Sequence, residues 1–303
     1  PGAGAPPATV RAEVGFEGAR WGVAGSIQPD PTALSVDLAL TIQGLSTEAV
    51  QWFMPPGVSL GMTQGEARAH VQGSWSQPDA GGDSLAVVVE DLDLRERDAE
   101  RPLLGASLLR LTAPRLDAAG GVVDVSDVTV EDLVIELVRL TDGGLRVAGA
   151  DLLPVVTPGA TTEEPGPQPG PRRRLESVRV GALNLGLKEL RLSTEGAEAD
   201  PFVATSVVRL KDAIAFDEED FLDDAPPVEF AITGSAAPGR AELTLDLALT
   251  PFDPEPELEA RIQVDGLDGA FLRSVFPELQ VPEGEAGLEG GSLSASLNRE
   301  FRW

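Results

Sequence analysis

Leu34-Ser35-Val36-Asp37-Leu38-Ala39-Leu40-Thr41-Ile42-Gln43 alternates residue by residue. Leu, Val and Ile hold the even positions, and Ser, Asp, Thr and Gln hold four of the five odd ones. Successive side chains on a strand point to opposite faces, so this stretch predicts a strand with one apolar and one wet face. The pattern returns at Leu243/Leu245/Leu247/Leu249 and at Leu258/Ala260/Ile262/Val264. It returns again at Val123/Val125, Val128/Val130, Leu133/Ile135/Leu137, Val178/Val180, Leu183/Leu185/Leu187 and Leu190/Leu192. Each group reads as its own short run, and roughly 17 runs of about five residues fit usual strand lengths. Between them, Thr141-Asp142-Gly143-Gly144 carries the Asp-Gly hairpin signal, and Ala118-Ala119-Gly120-Gly121 and Glu195-Gly196 suit similar turns. Meanders of adjacent antiparallel strands follow.

Two internal repeats organise these runs. Gly44-Leu45-Ser46 through Pro55 returns at Gly266-Leu267-Asp268 through Pro277, and the strand before each copy aligns as well. Each copy predicts a strand, a Gly-Leu step and a short helix. Ser46 and Asp268 serve as N-caps, and Pro55 and Pro277 stop the helices. Val50, Phe53 and Met54, and then Leu272, Val275 and Phe276, give these two helices their apolar faces. In the second repeat Val123, Val125, Val128, Val130, Ile135 and Leu137 fall on Val178, Val180, Leu183, Leu185, Leu190 and Leu192. Pro154 to Arg174 holds six prolines and no periodicity, and predicts an extended loop. The chain therefore divides into a β segment over 1–153, this loop over 154–174, and a second β segment over 175–303 continuous with the first.

Composition narrows the functions. The 303 residues carry 23 Lys and Arg against 50 Asp and Glu, a net charge of −27. That field repels phosphate backbones and excludes nucleic acid as a partner. There is no cysteine, which removes disulfides, thiolate metal sites and cysteine nucleophiles. His70, the one histidine, alternates with Arg68 and Glu66 on the wet face of its run. A single histidine offers neither a metal pair nor a catalytic triad, and no catalytic residue, cofactor or metal is expected. The acidic run Asp217 to Asp224 lacks the spacing of a calcium loop. Arg172-Arg173-Arg174 reads as a solvated loop end. Scattered Trp and Phe do not build a sugar platform. No stretch of about 18 apolar residues predicts a spanning helix. The chain opens at Pro1 without a leader and stops at Trp303 directly after an alternating run, so we expect a piece of a longer protein.

A sheet apolar on one face must bury that face, and two short helices cannot cover it. A sandwich, a barrel or a folded groove satisfies the pattern, and periodicity alone slightly favours the sandwich.

Three stretches carry a family resemblance. They are Gly44-Leu45 with its helix and Gly65-Glu66-Ala67-Arg68-Ala69; Val125 through Val128-Thr-Val-Glu-Asp-Leu to Asp142-Gly143-Gly144-Leu145; and Leu175 to Leu185. Together they resemble the AsmA-like superfamily of bacterial envelope proteins. The resemblance implies an elongated, curved, taco-like β-sheet, open as a groove or barrel. It implies an envelope or periplasmic location, and phospholipid movement between inner and outer membranes. It also implies an N-terminal transmembrane anchor, and envelope proteins at the ends of the full-length chain. The expected groove wall is Leu38, Leu40, Val128, Val130, Leu183, Leu185, Leu245 and Leu247, in contact with phospholipid acyl chains. The alternative expectation is a structural β-sandwich scaffold or a surface module that binds another protein.

Overall fold

The computed structural model describes residues 6–50, 54–55, 58–79, 81–152, 176–196, 201–217, 226–237, 241–250, 257–267 and 291–300. It is all-β, with 75% of the described residues in strand and 2% in helix. The first half holds β1 (Ala8–Phe16), β2 (Ala19–Asp30), β3 (Ala33–Leu45), α1 (Thr47–Val50), β4 (Val58–Leu60), β5 (Gly65–Ser76), β6 (Asp83–Glu96), β7 (Leu104–Asp117), β8 (Val122–Val125), β9 (Asp127–Arg139), β10 (Leu145–Val147) and β11 (Ala150–Leu152). The second holds β12 (Ser177–Val180), β13 (Leu183–Thr194), β14 (Phe202–Leu210), β15 (Ile214–Asp217), β16 (Val228–Ala237), β17 (Ala241–Leu249), β18 (Glu257–Leu267) and β19 (Gly291–Glu300).

The long strands pair in the order β1-β2-β3-β5-β6-β7-β9-β13-β14-β16-β17-β18-β19. Every pairing in that series is antiparallel except β9 with β13, which is parallel, as is β8 with β12 beside it. Ser177 stands opposite Val122, Leu183 opposite Val128 and Thr194 opposite Arg139. The 55-residue repeat is therefore the register of this seam: equivalent residues of the two copies are direct neighbours. The expected meanders are antiparallel within each half and meet in parallel.

The strands are longer than the runs read from sequence. Val128/Val130 and Leu133/Ile135/Leu137 belong to one strand, as do Leu183/Leu185/Leu187 and Leu190/Leu192. A bulge inside each strand shifts the phase of the alternation. Asp91 in β6 and Asp132 in β9 adopt φ of 52°, the left-handed region that a short polar side chain tolerates. Register slips between β5 and β6 around Arg68/His70, and between β13 and β14 around Leu187/Leu190. From β6 to β7 to β9 the pairing stays in step across the same level. One extra residue thus sits at one level in each strand from β6 to β13. Bulges bend a strand and sharpen its twist, so this line is a crease across the sheet.

The Gly-Leu steps of the other repeat take one conformation. Gly44 has φ 72° and Gly266 φ 71°, and the ladder slips at both, bringing Leu45 opposite Gly65 and Leu267 opposite Gly291. After Gly44 the helix is described over Thr47–Val50 as α1, with Ser46 hydrogen-bonded to Glu48 at its start, and residues 51–53 lie outside the described residues. The predicted second helix over Asp268 to Pro277, the Pro154 to Arg174 loop and residues 218–224 of the acidic run lie outside the described residues. The turns after Thr141 and after Ala118 close hairpins as expected, β9 to β10 and β7 to β8. In the first, the backbone N–H of Gly144 donates to Asp142 Oδ1 at 2.8 Å.

Candidate functional site

Follow Leu38 sideways through the ladder. Its partners lead from Val10 and Gly25 through Leu38, Val71, Val89, Leu109 and Val130, across the parallel seam to Leu185. From there they lead through Val208, Ile232, Leu245 and Ile262 to Ala295. This line crosses thirteen strands and meets no polar side chain. At about 4.8 Å per strand it runs roughly 58 Å. Four of the expected wall residues, Leu38, Val130, Leu185 and Leu245, stand on it. Val128 pairs with Leu183 one row over, Leu247 pairs with Phe230 and Ala260, and Leu40 follows Leu38 on the same face. All eight therefore share one face of one sheet, and all eight are half-buried. Among the described residues no large side chain is fully buried.

Two buried clusters lie near two rims, and outside them the buried apolar residues among those described are the small Ala106, Ala113, Ala241 and Ala260. At the end of β3, Ala49 is 0% exposed and clusters with Ala19, Leu45, Val50 and Met62. Trp21, Ile42 and Leu94 pack against this cluster, and their register puts them on the face of Leu38 and Leu40. The excursion from β3 to β5 therefore folds over the apolar face there. It is held by Thr47 Oγ1 donating to the carbonyl of Leu60 at 2.6 Å, and by β4 pairing with β11 of the β10–β11 hairpin. Met62 and Leu60 were not legible as cover, because the stretch Val58 to Thr63 is too short to show a period. At the opposite ends of the strands, Phe216 and Val228 are buried against Val178, Leu210, Ile214 and Phe230, where β15 pairs with β12.

The other face is polar and salt-bridged. His70 is expected in solvent, yet its side chain is only 35% exposed. Its Nε2 lies 2.7 Å from Asp37 Oδ1 and its Nδ1 3.2 Å from Glu90 Oε2. The hydrogen bond to Asp37, with Glu90 in support, raises its pKa above the ordinary 6.5 against the opposing effect of desolvation. Beside it Asp93, 9% exposed, accepts from Arg95 and from Arg68. The Arg95 hydrogen bonds come first in lowering its pKa. A cavity of about 280 Å³ opens here between Thr41, Gln43, Glu66, Arg68, Asp93 and Arg95. Both arginines face Asp93, so the charge in this cavity is already largely matched. No group of three or more His, Asp or Glu side chains among the described residues is placed to hold a metal. No helix among them is long and apolar enough to cross a membrane.

No family model, no curated protein and no solved structure matches the chain.

Proposed function

We propose that the apolar face of the sheet shields lipid acyl chains. In this reading the chain is the lipid-shielding segment of a bacterial envelope protein of the AsmA-like type, acting in the periplasm. It moves phospholipid between inner and outer membranes and performs no chemistry. The observation that carries the proposal is the thirteen-strand line through Leu38, Val130, Leu185 and Leu245, apolar throughout and half-buried wherever its burial is described. A half-covered aliphatic surface of that length is unfavourable in water and favourable against hydrocarbon. The acidic polar face, at a chain charge of −27, keeps the sheet soluble while its inner face stays apolar. The family resemblance agrees and adds the setting, between inner and outer membranes.

The test compares Leu185→Asp with Asn184→Asp, which places the same charge on the opposite face of β13. Thermal melting and native mass spectrometry after purification read fold and bound lipid together. A carboxylate at Leu185 reaches water in an open groove, so we expect phospholipid in wild type and in Asn184→Asp, and its loss from Leu185→Asp with little change in melting. A scaffold with a closed core gives the reverse: no lipid in wild type, and a loss of several kcal/mol in Leu185→Asp.

A further inference from the structure

β1 is an open edge. It pairs with β2 on one side, and no described strand pairs with it on the other. Eight of its nine residues are exposed, with Val14 at 58% and Phe16 at 43%. Exposed edges are normally blunted by charged side chains, proline or a bulge. Ala8-Thr9-Val10-Arg11-Ala12-Glu13-Val14-Gly15-Phe16 has no proline, its register with β2 is unbroken from Ala8 to Phe16, and its two charges, Arg11 and Glu13, are of opposite sign. Ala8, Val10, Ala12, Val14 and Phe16 stand on the apolar face, and Thr9, Arg11, Glu13 and Gly15 on the polar one. Neither Arg11 nor Glu13 has an ion pair or a side-chain hydrogen bond among the described residues.

We infer that β1 pairs with β1 of a second copy of this chain about a two-fold axis at Ala12. An antiparallel pairing centred there sets Arg11 opposite Glu13 of the second copy, and Glu13 opposite its Arg11. Val10 meets Val14, and Ala8 meets Phe16. All nine residues pair, unlike charges face each other twice, and the exposed Val14 and Phe16 gain apolar neighbours. Other registers are worse. Moving the axis to Arg11 opposes two arginines, and moving it to Glu13 opposes two glutamates. Moving it to Val10 or Val14 leaves only five paired residues. An axis between two residues turns the apolar face of one copy toward the polar side of the other. An interface of this kind is isologous, so it closes at two copies. Both apolar faces remain on the same side of the joined sheet, and the line ending at Val10 continues into the second copy. The inference does not depend on what the apolar face binds.

The test uses sedimentation equilibrium at micromolar concentration and physiological ionic strength, since −27 charges on each copy oppose association when unscreened. Wild type is expected to dimerise reversibly. Arg11→Glu and Glu13→Arg each oppose like charges twice, and should weaken the dimer roughly tenfold or more. The double variant Arg11→Glu/Glu13→Arg restores unlike pairs and should recover the wild-type constant. Circular dichroism checks that each variant keeps the wild-type strand signal. Ala12→Cys, in a chain with no other cysteine, should form a covalent dimer on oxidation. A wild type that stays monomeric overturns the inference, because the edge then belongs to another strand or another protein. An association indifferent to the single charge changes, or one that grows beyond two copies through β19, overturns it equally.

Discussion

Between β2 and β7 the chain folds back over its own sheet; between β16 and β18 no described segment does. Both stretches are written in the same residues, chiefly Leu, Val, Ile and Ala. In the first, the excursion through α1 and Met62 turns the rim into a core, with Ala49 fully covered and Met62 5% exposed. In the second, Ile232, Leu245 and Ile262 remain half-buried, and the buried residues are Val228 at its rim and the small Ala241 and Ala260. The difference teaches that alternation specifies a face and does not specify what lies against it. A Gly-Leu step opens the excursion at Gly44, and Gly266 repeats that backbone.

The largest effect should come from placing a charge in each stretch. Ala49→Asp buries a carboxylate without a partner and should cost about 3 kcal/mol or more, read from urea unfolding. Leu245→Asp puts the same group on the half-open wall and should cost about 1 kcal/mol. Equal costs would break the contrast and mean that the second stretch is packed as closely as the first.

A smaller effect sharpens the likeness between the two Gly-Leu steps. Gly44→Ala and Gly266→Ala each force a side chain into the left-handed region, at about 1–2 kcal/mol apiece. At Gly44 the Cβ would also stand 2.9 Å from the carbonyl of Gly18, which adds to the cost there. A neutral Gly266→Ala would mean that the second step is not held as the first is.

The smallest effect is electrostatic and belongs to the first half alone. The pKa of His70 is raised in the folded chain, so its contribution is fully present below about pH 6.5 and fades as pH rises through the raised value. Asp93 has the opposite sense: its contribution holds at neutral pH and fades only as pH falls through its lowered value. Melting of wild type and His70→Gln between about pH 5 and 8 should therefore differ most at the acid end and converge at the alkaline end. A constant difference across that range would assign His70 a packing role instead.

How much of this was legible follows from which physics is local. Leu34 to Gln43 gave β3 its faces, because alternation is a property of consecutive residues. The Gly44 and Gly266 copies were legible because only glycine takes that backbone without strain. The Val128 and Leu183 copies were legible as a repeat but not as neighbours, since sequence likeness carries no register. The crease was hidden. A bulge shifts the phase of the pattern, so one strand through Glu131-Asp132 read as two. The wall residues could be assigned to one face but not to covered or open stretches. Their cover depends on Met62 and Leu60, which carry no periodic signal.

The parallel seam also bears on how the chain folds. On either side of it, long strands pair with sequence neighbours or skip one short excursion, so each half can assemble by local closure. The seam instead joins positions 55 residues apart, as with Val128 and Leu183. Closing such a loop costs about 1.5 kcal/mol more in chain entropy than closing one of about ten residues. Two meanders should form first and then zip together along β9 and β13, which makes that contact the slow step and the first to open under load. In pulse-labelled hydrogen exchange, the amides that bridge β9 and β13 should gain protection after those within either meander. Simultaneous protection throughout would mean that the sheet condenses as one unit.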